Sequence, residues 1–414
     1  MVLSSIKPIW KNFFNLGVFQ AAGMLLQLLV IPIINKNYGL ATFGEVALAS
    51  SVGLFLANLV NYGTNQTAIK DVSIYRNDRE KLSIIFSEIF WLRIVVFITI
   101  ITTTTIITIT TKNEYLLLWF SILPLVASEI FNPLYFLIGI EKIQWISWGN
   151  IITRATSLGL ILLFPLHQYI APSLNLLLSL PLLMYYLLLS FYVVKKFDLQ
   201  LSLTRWPDLR KKVLENFYVT FNGSSVILQQ SIFMFAVAGT SSPQTLGAYG
   251  IIDKLLGAVR QLVSSFSSAI YPRAAQLFQE GISHWNNFRS KVQKGYTLVF
   301  LTVALPLFFF AEFGSVVFTR HENPTTALFF RYFSLAPLAL ALNANNVLDL
   351  LLSKSYKQMF YISILIVIAT FLISISLTRF FNESSIGFYP LIIESTCLLI
   401  YTIFLRTKKT HSIA

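Results

Sequence analysis

The chain has one cysteine in 414 residues, four histidines, and only 12% charged side chains. Cys397 alone excludes an internal disulfide, a dithiol redox pair and a cysteine-based zinc cluster. His167, His284, His321 and His411 are scattered without metal-ligand spacing, so no metal site is expected. A glycine-rich phosphate loop ending in Lys-Ser or Lys-Thr is missing, which argues against ATP-driven work by this chain. No enzyme signature and no cofactor motif stands out. The shortage of charge is the most informative lack. A soluble domain carries roughly 25% charged residues, because water meets its surface on every side. Half that fraction means that most of this surface faces something other than water.

What is present instead is apolar: 55% of the residues are hydrophobic. Apolar runs fall near 13–34, 45–66, 84–110, 116–140, 146–166 and 173–194. Six more lie near 217–239, 247–270, 295–318, 327–352, 359–378 and 386–405. A spanning helix needs about 20 mostly apolar residues. The runs are continuous and do not alternate as barrel strands do. The expected fold class is therefore an all-α integral membrane protein of about 12 transmembrane helices. The first run is too long for the core of a cleavable leader, so none is expected.

Lysine and arginine distribute unequally about these runs. The N-terminus, the loops after even-numbered runs and the C-terminal tail hold 22 of the 31, against four on the other side, Lys36, Lys112, Arg320 and Arg379. Basic residues stay in the cytoplasm, which places both termini inside a bacterial inner membrane. The net charge of +13 thus sets topology and calls for no nucleic acid.

A short repeat divides the chain. Thr42-Phe43-Gly44 opens the second run and Thr245-Leu246-Gly247 the eighth; Asn12-Phe13 and Asn216-Phe217 open the first and seventh. Six helices per half is an even number, so both halves enter the membrane with the same orientation. The expected organisation is residues 1–200 as an N-terminal six-helix bundle and 201–414 as a C-terminal one. Transporters with parallel repeats carry their substrate path between the halves.

Polar groups within the runs mark candidate sites, since a charge at mid-bilayer costs about 2.5–3.5 kcal/mol on insertion scales. Asp253, Gly257, Arg260, Ser264 and Ser267 line one face of the eighth helix, with Lys254 and Gln261 beside them. Lys254 and Arg260 are expected to face a cavity; for Asp253 an internal ion-pair lattice is an equal alternative. Gln20 and Gln27 in the first helix, and Asn222 and Gln229 in the equivalent seventh, suit sugar hydroxyls or helix–helix hydrogen bonds. Arg154 adds an arginine fork suited to phosphate. Arg93 is expected to snorkel to the cytoplasmic interface. Glu129 and Glu394, with Asp253, are candidate ion-coupling carboxylates; Glu312 and Asp349 lie near helix ends, where solvation is the default.

Several segments together resemble Wzx-type O-antigen flippases, of the polysaccharide transporter branch of the multidrug/oligosaccharidyl-lipid/polysaccharide (MOP) exporter superfamily. They are Asn12-Phe13 with Gln20, Pro32 with Lys36 and Gly39, Phe43-Gly44, Tyr62-Gly63-Thr64-Asn65, and Arg76-Asn77-Asp78 with Leu82 to Ser87. Asn132-Pro133 through Glu141-Lys142, Leu246-Gly247-Ala248-Tyr249 with Asp253-Lys254-Leu255, Tyr271-Pro272-Arg273, and Phe333 to Lys354 complete the match. The resemblance implies a V of two six-helix bundles opening to alternate sides. It implies flipping of undecaprenyl-pyrophosphate-linked oligosaccharide, with the lipid tail left in the membrane and an H+ or Na+ gradient as the driving force. A polymerase and a chain-length regulator are implied as pathway partners. Lys254 and Arg154, then Arg260, would meet phosphate, and the amides the glycan. Two departures stand out: Asn61 replaces an acid frequent before Tyr-Gly, and Gly23 a frequent asparagine. The alternatives are a drug or cation exporter, whose cavity should favour carboxylates, and a membrane glycan polymerase, which needs a long periplasmic loop.

Overall fold

The computed structural model describes residues 6–110, 116–142, 144–353 and 355–411. In chain order the helices are α1 (Ile6–Tyr38), α2 (Leu40–Asn61), α3 (Thr64–Ile74), α4 (Arg79–Thr110), α5 (Leu116–Ser121) and α6 (Leu123–Ser128). Then come α7 (Leu134–Gly139), α8 (Gln144–Leu163), α9 (Ile170–Lys196), α10 (Trp206–Thr240), α11 (Pro243–Glu280) and α12 (Ile282–Phe309). The last are α13 (Ala311–Thr319), α14 (Pro324–Phe333), α15 (Ala336–Leu352), α16 (Tyr356–Arg379) and α17 (Tyr389–His411), the latter preceded by a 3-10 turn, Glu383–Phe388. No strand occurs among the described residues, and helices satisfy their backbone internally, as hydrocarbon demands. Exposed Leu163, Leu188, Phe371 and Ile368 stud the helix surfaces. Such side chains would be a liability in water and belong against lipid.

Each of the twelve apolar runs overlaps these helices. Eight helical segments of the described residues are long and apolar enough to cross a membrane, and up to nine if the two legs of α10, bent by 56° between Phe221 and Gly223, form one span. Two other runs fail that test for visible reasons. Charges Asp253, Lys254 and Arg260 interrupt α11. The run 116–140, expected as one span, is instead three short helices. Pro124 lies in the first turn of α6 and Pro133 at the start of α7, and proline cannot donate the hydrogen bond that would continue a helix through it.

Several helices outrun their apolar cores. α10 begins at Trp206, α11 continues to Glu280 and α12 starts at Ile282. Charged side chains do not stop a helix; Gly281, at φ +146° between α11 and α12, does. Elsewhere starts are set by capping. Ser242 accepts from the Thr245 N–H (3.3 Å) and Asn323 from the Thr326 N–H (2.8 Å), each followed by a proline at the first helical position.

The chain forms two compact units, one of Met1–Gln27 with Ala49–Ile227, the other of Leu28–Leu48 with Leu228–Ala414. Helices α1, α2 and α10 each contribute to both. The first unit has a core of Phe86, Tyr135, Phe136, Leu189 and Val193 among others. In the second, Trp285, Ala274 and Leu348 pack together. Here too the two repeat motifs meet. A Cβ at Gly44 would stand 2.7 Å from the Gly247 backbone N, and one at Gly247 would collide with the Leu40 carbonyl. Glycine at both positions is what lets α2 and α11 touch backbone to backbone.

Candidate functional site

In the first unit, Arg93 on α4 is the organising side chain. It is 1% exposed and does not snorkel, contrary to the sequence expectation. Its Nε and Nη2 donate to the Thr64 hydroxyl (3.0 and 2.8 Å), and Nη2 also to Asn65 Oδ1 (2.9 Å). Nη1 donates to the carbonyls of Glu129 (2.7 Å) and Asn132 (2.6 Å). Those carbonyls belong to the break between α6 and α7, where helix ends leave acceptors without partners. One guanidinium thus ties that break to the turn between α2 and α3, where Tyr62 and Gly63 both have positive φ. Membrane depth is no obstacle, because every donor finds an oxygen. The signal that could have located this clamp was Asn132-Pro133 and Tyr62-Gly63, two helix interruptions facing one arginine.

Glu129 sits beside the clamp. Its carboxylate accepts from the side-chain amides of Asn61 (3.0 Å) and Asn132 (3.0 Å). Asn61 Oδ1 in turn accepts from the Asn65 N–H (3.3 Å), which fixes its NH2 group toward Glu129. The residue that departs from the family pattern therefore serves as a donor to a nearby carboxylate.

Arg154 on α8 is different. Among the described residues it has no hydrogen bond or ion pair; Tyr186 is its electrostatic neighbour. A Cβ built on Gly23 would lie 3.2 Å from its Nη1, so the missing side chain at 23 leaves room for the guanidinium. Gln27 is exposed. The side chains of Gln20 and Asn222 lie outside the described ones.

In the second unit, α11 carries the charged stripe. Arg260, expected to face a cavity, donates to Glu394 Oε1 of α17 from Nε (2.9 Å) and Nη2 (2.6 Å). Both expected candidates are thus engaged with one another, Glu394 being 4% exposed. Asp253 is 5% exposed and its Oδ1 has no hydrogen-bond partner among the described residues. Lys254 is half-buried, with no hydrogen bond or ion pair among the described residues. Gln229 is buried, and its backbone carbonyl accepts from the Tyr389 hydroxyl (3.1 Å).

A third cluster went unforeseen. Asp349, expected to be solvated at a helix end, accepts from Trp285 Nε1 (2.7 Å) and Arg289 Nε (2.9 Å). Arg289 also reaches Asn346 Oδ1 (2.9 Å), and Asn345 donates to Gln293 (2.9 Å), fastening α15 to α12. Glu312 pairs with Arg331 at 2.7 Å.

The fold, multi-pass and all-helical with charged groups sunk among the helices, is similar to that of solved MOP-type membrane transporters. An inward-facing multidrug resistance MATE family transporter of the MOP superfamily superposes with TM-score 0.73 at 12% identity, covering 94% of this chain and 98% of that one. The lipid II flippase MurJ, in its inward closed conformation, gives TM-score 0.72 at 13% identity, covering 95% and 87%. By sequence, the family described as polysaccharide biosynthesis protein matches residues 9–278, and the chain belongs to it. The "Putative O-antigen transporter" of Escherichia coli (strain K12) is 22% identical over 272 residues, 64% of this chain. The chain likewise spans 64% of that relative's length.

Proposed function

We propose that this chain is a flippase. It moves undecaprenyl-pyrophosphate-linked O-antigen, or a related polysaccharide repeat unit, from the cytoplasmic to the periplasmic leaflet of a bacterial inner membrane. It does so by alternating access between bundles of residues 1–200 and 201–414, coupled to an ion gradient. Family membership, the Escherichia coli relative and the likeness to a lipid flippase all support this reading. One observation carries it to the residues. Of the five basic side chains within the expected spans, Arg93, Arg260 and Arg331 are engaged by acceptors. Arg154 and Lys254 have no such partner among the described residues. A cation held in a membrane with no acceptor bonded to it is costly, and an anionic ligand offsets that cost. Pyrophosphate suits the arginine fork and the lysine point charge.

The test is gene deletion in the native host, with complementation by wild type, Arg154→Ala and Lys254→Ala. Loss of surface polymer with lipid-linked single repeats stranded on the cytoplasmic face, unrescued by either variant at normal protein level, supports flipping. Stranding on the periplasmic face points to a polymerase. Unchanged surface polysaccharide sinks the glycan reading and leaves drug export.

A further inference from the structure

Glycine inside a helix is destabilising relative to alanine, so Gly23, in the interior of α1, needs a reason to be there. The other helical glycines show the usual one, or none. Gly44, Gly139, Gly149 and Gly247 face backbone, Val72 or Tyr185 of a neighbouring helix and let the helices close up, whereas Gly159, Gly239 and Gly257 face open space. Gly23 does neither. The nearest atoms to a Cβ built there are Arg154 Nη1 at 3.2 Å, Arg154 Cζ at 3.8 Å and Asn150 Cβ at 3.8 Å. Among the described residues it is the one glycine whose missing side chain makes room for a charged group.

Asn150 and Arg154, four residues apart, share a face of α8, and that face lies on α1 at position 23. The closest atom is the far end of a flexible side chain, which can give way without moving either helix. A methyl at 23 is therefore tolerable to the fold, and what it displaces is the guanidinium. An acceptor at 23 would do more. The amide oxygen of an asparagine, carried on a Cβ 3.2 Å from Nη1, would come within hydrogen-bonding reach of the fork. It would then answer a cation that has no hydrogen bond or ion pair among the described residues. Each donor given to a protein amide is one that a bound anion no longer receives.

We propose that Gly23 is a positioning residue for anion binding: the bare stretch of α1 at 23 seats the Arg154 guanidinium and keeps its donors free for a pyrophosphate. Gly23 touches no substrate and acts through Arg154. The inference rests on the reading of Arg154 as a pyrophosphate ligand.

The experiment measures binding of farnesyl pyrophosphate to the full chain in nanodiscs of zwitterionic lipid, with farnesol as the phosphate-free control, and Tm without ligand. Gly23→Asn should weaken binding about tenfold, the scale of one hydrogen bond to a charged group, and Gly23→Ala should weaken it by less. Neither should lower Tm, and the gain in Tm from asparagine should shrink when Arg154 is already alanine, because changes at uncoupled sites add. Gly159→Ala, which meets nothing within 4 Å, should leave binding unchanged. If Gly23→Asn misfolds, Gly23→Ala carries the test, since only the end of Arg154 stands in its way. Wild-type binding no stronger than farnesol's, full binding in both Gly23 variants, or an asparagine effect on Tm equal with and without Arg154 overturns the proposal. Surface polysaccharide decides the flippase reading separately. Unchanged polymer on gene deletion, with Gly23 and Arg154 coupled in binding, counts against that reading alone.

Discussion

At the residue scale, the buried cations divide by whether anything answers them, and the two kinds should respond differently to truncation. Arg93→Ala leaves the carbonyls of Glu129 and Asn132 and the Thr64 hydroxyl without their donor. Each orphaned group costs about 1–3 kcal/mol, so the variant should lose about 3 kcal/mol or more, read as a lowered Tm in detergent. Arg93→Lys should not restore it, because a single ammonium cannot span acceptors that a planar fork reaches together. Arg154→Ala removes a side chain with no hydrogen-bond or ion-pair partner among the described residues. Its Tm should match the wild type while surface polysaccharide is lost. A large drop in Tm would show that Arg154 is structural.

At the element scale, two close fits decide the outcome. Gly247→Ala puts a methyl into the Leu40 carbonyl, so α11 and α2 must part. Protein yield and Tm should fall sharply, whereas Gly239→Ala, with nothing within 4 Å, should be neutral or slightly stabilising. The other fit is between α4 and the segment joining α9 to α10. The Ser83 hydroxyl accepts from the Gln200 N–H (3.1 Å), Ser87 accepts from the Ser202 N–H (3.1 Å), and Trp91 Nε1 donates to the Ser202 carbonyl (2.9 Å). One helical turn advances about 5.4 Å and two extended residues about 6.6 Å, so the hydroxyls of Ser83 and Ser87 can meet N–H groups two residues apart, while the longer Trp91 side chain reaches Ser202 as well. Ser83→Ala with Ser87→Ala removes bonds worth about 0.5–1.5 kcal/mol each. Limited proteolysis should then cut between residues 198 and 205 faster than in the wild type, with Tm little changed.

At the scale of the whole molecule, sidedness is the property with consequences. Cys397 is buried, so Cys397→Ser provides a background for single introduced cysteines. A thiol at Ser202 should react with a membrane-impermeant maleimide only in inside-out vesicles, and one at Glu322 only in intact spheroplasts. Reversed labelling would invert the membrane orientation and, with it, the proposed direction of flipping.

Much of this was legible in the chain itself, because it depends on local quantities. Apolar runs of sufficient length dictate helices in a bilayer, whatever they pack against. The bias of Lys and Arg predicts an orientation loop by loop, which the labelling experiment tests. The same economy made Arg154 and Lys254 conspicuous as cations where none should be. Tertiary structure alone decided which charges are answered. Arg93 finds Thr64 and Asn132 at separations of 29 and 39 residues, and Arg260 finds Glu394 at 134. Asp349 likewise proved to be bound to Trp285 and Arg289 rather than solvated. A hydrogen bond depends on ångström-scale approach between helices distant in the chain, and neither periodicity nor composition carries that information.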